Sequence, residues 1–243
     1  MRFLYFAVPV MVALGLTGCS EDEAAKARQE AEQTAKDYAA TEVGQIWSDV
    51  LASYDQLTSL RITGATVESG ENVGLDLAVD TDGRCSGVMQ LAAGSFQVLS
   101  DGQQFWMKGD AAGWSTLTGD DAGATLADQW VTGFDGDAGG MAEICDLGAF
   151  VDQLKADLGD EGASGGGADQ VVGTDLLDGS PVVTVSSGED QDVSPITATV
   201  AATEPHYLLQ MTSSTLGQMT FSGQNEPVEV NPPTDALDLS TLG

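Results

Sequence analysis

The chain has 243 residues, 42% of them hydrophobic, enough for one sizeable core or two small ones. Its formal net charge is −30, from 38 Asp and Glu against 8 Lys and Arg, and no Lys or Arg follows Lys155. A chain this acidic is repelled by phosphate backbones and anionic membrane surfaces, which excludes nucleic acid as a partner. Its 30 glycines suit a hairpin-rich β domain and not a helical bundle.

Residues 1–18, MRFLYFAVPVMVALGLTG, place one Arg before a short apolar run and small residues before Cys19, the pattern of a secretory signal. The run is too short and too lightly flanked for a comfortable membrane span. LTGC (Leu16, Thr17, Gly18, Cys19) matches the bacterial lipobox, whose cysteine is diacylated on sulfur and becomes the new N-terminus. The expected location is extracytoplasmic, with the chain anchored to the cell membrane by lipid on Cys19. Two or three acyl chains hold a protein stably where one is marginal. Residues 19–40 are polar, rich in Ala, Glu and Lys, and show no apolar face before Val43. They read as a polar tether, a helical stalk or a disordered spacer, that lifts one domain, 41–243, off the lipid surface.

From Thr41 the pattern changes. Val43, Ile46, Trp47, Val50, Leu51, Tyr54 and Leu57 recur at helical spacing, with Thr41 as N-cap. After Leu57 the period becomes two. LRITGATVES, NVGLDLAVD, CSGVMQLAAG, SFQVLSD and QQFWMKG are separated by SGEN, TDGR, AAG and SDGQ, which predicts a five-stranded meander. Trp106 and Leu99 make the second face of that sheet partly apolar, so it needs cover on both faces. Residues 120–145 read as helical or irregular, anchored by Leu126, Trp130, Phe134 and Met141. Asp146 caps a second helix with the stripe Leu147, Phe150, Val151, Leu154 and Leu158, stopped by Gly159. Beyond a Gly-rich loop at 159–169, strands resume at about 170–177, 180–187, 194–203, 206–213 and 216–223, followed by an extended tail. Helix, meander, helix, meander predicts an α+β fold. We expect a strongly curved antiparallel sheet, an unclosed half-barrel, with helices covering its concave side.

The lipobox, the helix before LRITGATV, the strand GRCSGVMQL, the run FWMKGD…GW, the cysteine before the second helix and the ending FSGQNEPVEVNPP together resemble a family. It is the actinobacterial lipoproteins of the LppX/LprG/LprF type, which share the half-barrel of LolA and LolB. The resemblance covers about 41–235. It implies a curled antiparallel sheet with helices at its mouth and a hydrophobic cavity for acyl chains. It also implies the binding, and in some members the movement, of lipids.

Enzyme motifs are mostly absent. His206 is the single histidine, within EPHYLLQ, and reads as a strand start. No G-x-S-x-G elbow, P-loop or dinucleotide fingerprint occurs, and no Ser or Thr has an evident base partner. We expect no enzyme, no cofactor and no metal site. Asp80 with Asp82, Asp135 with Asp137, and Glu189, Asp190 and Asp192 read as turns or solvated loops, and none has the ligand spacing of a calcium loop. If calcium binds weakly anywhere, GFDGDAGG (133–140) is the place.

For an apolar ligand the candidate residues are Met89, Phe96, Trp106, Met107, Trp130 and Phe134. Trp114 is a further aromatic, and Met211 and Met219 further adaptable side chains. Ordinary core packing is the competing reading for all of them. With Cys19 spent on lipid, Cys85 and Cys145 form an even remainder in an exported chain and point to one disulfide. Two buried free thiols, or a redox or metal role, are the alternatives. The expected partners are a lipid or other apolar small molecule and the membrane, with the protein a monomer. The alternative is an envelope interaction or sensor domain of the same fold without lipid.

Overall fold

The computed structural model describes residues 21–68, 71–118, 120–134, 141–159, 169–187, 195–214 and 217–241. The signal segment and Cys19 lie outside the described residues, as do Asp135, Asp137, Glu189, Asp190 and Asp192. No helix among the described residues is long and apolar enough to cross a membrane.

Two helices, α1 (Glu21–Ala39) and α2 (Val43–Tyr54), precede the meander β1 (Ser59–Glu68), β2 (Glu71–Asp80), β3 (Arg84–Leu91), β4 (Gly94–Asp101) and β5 (Phe105–Gly109). Then come α3 (Ala111–Thr118), α4 (Asp120–Leu126), the short strand β6 (Trp130–Thr132), a 3₁₀ turn (Met141–Cys145) and α5 (Leu147–Gly159). The second meander is β7 (Gln170–Leu177), β8 (Ser180–Ser186), β9 (Thr197–Ala201), β10 (Leu208–Ser213) and β11 (Gly217–Ser222). A two-residue strand, β12 (Leu237–Asp238), and a 3₁₀ turn (Leu239–Thr241) end the described chain.

One 12-stranded sheet takes all the strands, in the order β12-β6-β5-β4-β3-β2-β1-β11-β10-β9-β8-β7. The first meander runs outward from the middle, the second returns from the far end, and the two join where β1 pairs with β11, Ile62 opposite Phe221. Every pair is antiparallel except β12 with β6. The order has two ends and does not close, as an unclosed half-barrel requires.

Alternation sorts the side chains. Leu60, Ile62, Leu77, Val79, Cys85, Met89, Phe96, Val98 and Met107 occupy paired positions on one face, continued by Phe221, Val200, Val185 and Val183 in the second meander. The helices cover this enclosed face. Ile46 and Val50 of α2, Trp114 of α3 and Leu147, Val151 and Leu154 of α5 are buried in the same core. Phe150 on α5 meets Phe221 on β11 with ring centroids 5.9 Å apart. The other face carries Arg61, Thr63, Asp76, Gln97 and Lys108, and Arg61 pairs there with Asp76.

Turn chemistry holds the hairpins. In TDGR, Gly83 has φ +76°. Asp80 Oδ1 accepts the N–H groups of Asp82 and Arg84, both at 3.0 Å, and Oδ2 accepts Arg84 Nε–H at 2.7 Å. The Asp80 carboxylate is thus a buried turn clasp. Asp146 Oδ1 accepts the N–H of Ala149 at 2.9 Å and caps α5.

Three expectations change. Glu42, not Thr41, stands at the N-cap of α2, and no side chain caps it. Residues 19–40 were expected to stand clear of the domain, but α1 packs along β7 and β8. Its contact stripe is Ala31, Ala35 and Tyr38, with Ala35 1% exposed. Alanine contributes little to an apolar pattern, yet it lets a helix approach a sheet closely. The tail adds a strand, β12, where a loose end was expected.

Candidate functional site

Helix α3 and strands β4 and β5 build an aromatic cluster on the enclosed face. Phe96 meets Trp114 edge-on at 5.1 Å, Trp114 stacks on Phe134 at 6.1 Å, and Phe105 meets Phe134 at 6.1 Å. Asp110 starts α3: its Oδ1 accepts the Gly113 N–H at 2.7 Å. Its Oδ2 accepts the N–H and hydroxyl of Ser95 at 3.0 and 3.1 Å, so one carboxylate ties the helix start to β4. The Gly113 N–H bond is the largest cause holding this carboxyl below its usual range.

The six candidate ligand residues do not share one wall. Phe96 and Met107 are fully buried on the enclosed face, with Met89 beside Phe96 in register and Phe134 packed onto the same core. Trp106 and Trp130 lie on the opposite face. Trp106 precedes Met107 in β5, Trp130 precedes Val131 in β6, and Met107 and Val131 are the pair that points inward. Strand parity separates the two tryptophans from the other four.

Two buried donors on the enclosed side have no hydrogen-bond partner among the described residues, Trp114 Nε1 and the Tyr54 hydroxyl. Both residues are at most 2% exposed. Burial raises the Tyr54 phenol well above its ordinary pKa, with Tyr207 adding to the effect, so it stays neutral. A buried donor left unpaired is costly, and either group would gain from an acceptor brought into the core.

Cys85, at the start of β3, and Cys145, at the end of the 3₁₀ turn before α5, form a disulfide with Cα atoms 5.4 Å apart. It ties the sheet to the turn that leads into the helix covering it. Both cysteines are buried, and Cys145 also borders a 420 Å³ cleft with Asp80, Asp82 and Asp146. No three His, Cys, Asp or Glu side chains among the described residues are grouped to hold a metal ion.

A larger cleft of 690 Å³ lies between α2 and the loop before β10 and is lined by Asp49, Gln56, Glu204, His206, Tyr207 and Asn225 among others. The His206 ring stacks on Tyr38 of α1 at 4.3 Å and 6°, and its Nδ1–H donates to the Ala201 carbonyl at 3.0 Å. Tyr38 donates its hydroxyl to Asp49 Oδ2 at 3.1 Å; burial, then the Asp49 charge, raises that phenol's pKa. His206 does stand just before a strand, as its sequence suggests, but it also clamps α1 onto the domain. That clamp leaves no trace in the local sequence, because its partners lie far apart in the chain. None of the six candidate ligand residues lines either cleft.

No protein-family model and no curated protein matches the chain. Among solved structures it is similar to LprF from Mycobacterium bovis, at 20% identity and TM-score 0.49, over 79% of this chain and 96% of that one. It is also similar to the lipoprotein LppX of Mycobacterium tuberculosis, at 18% identity and TM-score 0.45, over 78% of this chain and 98% of that one. A LolA superfamily protein from Nitrosomonas europaea follows at 9% identity and TM-score 0.22, over 79% and 96%.

Proposed function

We propose that this chain is an extracytoplasmic lipoprotein, held at the cell membrane by acyl chains on Cys19, whose half-barrel binds and carries a lipid or other apolar molecule. The reading is carried by the enclosed face. It is apolar across both meanders, and helices that share no ladder with the sheet cover it. An acyl chain takes the place of helix side chains when α2 and α5 shift, and Met89, Met107, Met211 and Met219 adapt to its shape. The unpaired Trp114 Nε1–H and Tyr54 hydroxyl donate to an ester or hydroxyl oxygen of such a ligand. Trp106 and Trp130 take no part, because they face the other way. Binding, and not catalysis, is the role these groups suit: His206 is committed to a ring stack and a backbone carbonyl.

Mass spectrometry of protein purified from its own host tests this reading. We expect a mass excess that organic extraction removes, together with an acyl mass on Cys19 that it leaves. Protein that carries the acyl mass and nothing extractable refutes the lipid reading. It would leave the second one, a non-enzymatic interaction domain, which the polar lining of the 690 Å³ cleft favours.

A further inference from the structure

The sheet has one long free edge. β7 pairs with β8 on one side and with no strand among the described residues on the other. The backbone N–H and C=O groups that point away from β8 therefore belong to no ladder. Folded proteins blunt such edges with Lys, Pro or a covering element. β7, QVVGTDLL, contains neither Lys nor Pro. A register shift between Val171 and Gly173 disturbs its first half. Farther along, the N–H of Leu176 donates to Asp175 Oδ1 at 2.7 Å, so a side chain stands where a neighbouring strand would offer a carbonyl. Val172 is 53% exposed, which is unusual for a large apolar side chain in this molecule. The opposite end of the sheet, β12, has only two residues and offers no comparable template.

Beside this edge runs α1. Two clefts, of 450 and 230 Å³, lie between the helix and the strand, and Arg28, Asp175 and Leu176 line both. Ala24, Ala27 and Gly179 complete the first, and Thr174 belongs to the second. Eight residues of strand give an edge of about 26 Å, enough to pair a segment of similar length.

Charge selects the occupant. α1 carries six carboxylates against three cations. Two of those cations, Lys26 and Arg28, are already paired with Glu30 and Glu32. Asp175 and Asp178 sit on the strand and its turn, and the whole chain stands at −30. A second copy would bring like charge to like charge. We propose that the β7 edge, with the groove beside α1, docks an extended basic polypeptide segment that joins the sheet as a further strand. Its backbone completes the ladder, an apolar side chain covers Val172, and its cations reach Asp175 and the carboxylates of α1. This docking site is separate from the enclosed face and does not depend on whether lipid occupies that face.

Two capped eight-residue peptides test the proposal on the full-length protein at about 0.15 M salt. One alternates Lys with Val. The other alternates Lys with Pro, carrying the same charge but lacking the N–H groups a ladder needs. Calorimetry gives affinity, and amide hydrogen exchange gives location. The Lys–Val peptide is expected to bind and slow exchange in β7, with the Lys–Pro peptide about tenfold weaker or worse. Val172→Lys, at an exposed position, is expected to weaken the Lys–Val peptide several-fold without lowering thermal stability, and Asp175→Asn to weaken it as well. Equal binding of both peptides, protection away from β7, or no binding overturns the proposal. Protection of β7 that grows with protein concentration alone also overturns it, because the occupant is then a second copy.

Discussion

Removing the Cys85–Cys145 crosslink has a cost that follows from the chain's own layout. The bridge closes a segment with a sequence separation of 60. Constraining a loop of that size in the unfolded chain is worth about 4 kcal/mol by the chain-entropy relation. The folded state loses little beyond two buried sulfur atoms when both cysteines become Ala, because the Asp146 cap of α5 and the β3 ladder remain. The double variant should therefore be less stable by about 4 kcal/mol. At about 2–4 °C per kcal/mol for a domain of this size, its melting temperature falls by roughly 8–16 °C. The effect acts on the unfolded chain, so the denaturant m-value should rise as that chain expands. Urea unfolding of oxidised protein, reduced protein and the Cys85→Ala/Cys145→Ala variant checks this, and the last two should agree within about 1 kcal/mol. A double variant within about 1 kcal/mol of the oxidised protein would refute the reasoning. So would two titratable thiols in protein purified under air.

Other substitutions probe the enclosed face and the strap of interactions around α3. Gly109→Ala would put a methyl group onto the Phe96 ring and 3.1 Å from Trp114 Nε1. It should destabilise by about 1–3 kcal/mol, and adding Phe96→Leu should recover part of that loss in a double-mutant cycle read by urea unfolding. Asp110→Asn tests pH dependence. Its folded carboxyl has a lowered pKa, so its contribution is present in full above the ordinary carboxylate value of about 3.9 and is lost as pH falls through the folded value. Unfolding of the Asn variant should depend less on pH below about 4 than unfolding of the parent, and equal slopes would contradict the assignment. Asp80→Ala removes three accepted hydrogen bonds from a residue 4% exposed, and should cost about 3 kcal/mol by the same unfolding assay.

Much of the fold was legible because it is written in local periods. The alternation of GLDLAVD and CSGVMQL, broken by TDGR and SDGQ, marks hairpins whose strands fall within a few residues of the expected limits. The helix from Leu147 announces itself by its stripe and by Asp146. The Cys85–Cys145 pair followed from counting thiols in a chain whose N-terminus reads as an export signal. What escaped depends on contacts between distant segments or on weak local signals. The docking of α1 rests on alanines, and β12 has two residues and a parallel partner, which leaves no period to read. The candidate ligand residues were grouped by aromatic and sulfur chemistry. Parity within FWMKG already places Trp106 and Met107 on opposite faces, and the structure follows parity.

Trp106 raises the question of what covers the outer face of the sheet. It is 4% exposed, yet it points away from the core and its helices. The chain leaves β11 at Ser222 and must reach β12 at the other end of the sheet, passing β1 to β6 on the way. Seven strand spacings come to about 34 Å. The fourteen residues between the two strands span at most about 50 Å when fully extended, enough to cross in extended conformation after the turn at its start, where the Glu226 N–H donates to the Gly223 carbonyl. Pro227, Pro232 and Pro233 favour that conformation. Its start is pinned: Asn225 Oδ1 accepts the N–H and hydroxyl of Thr58 at 2.7 and 2.9 Å, and Ser59 Oγ donates to the Glu226 carbonyl. Val228 is buried in its middle, 7% exposed. Neither Val228 nor Trp106 belongs to the core under the helices, so the ending NEPVEVNPP is expected to cross the outside of the half-barrel as a strap that covers Trp106. Val228→Asp should lift the strap, cost about 2 kcal/mol and raise acrylamide quenching of tryptophan emission. The same change in a Trp106→Phe background should leave quenching near its parent value. A strap that detaches, with β12 amides exchanging freely while Trp106 stays protected, would place the cover of that face elsewhere.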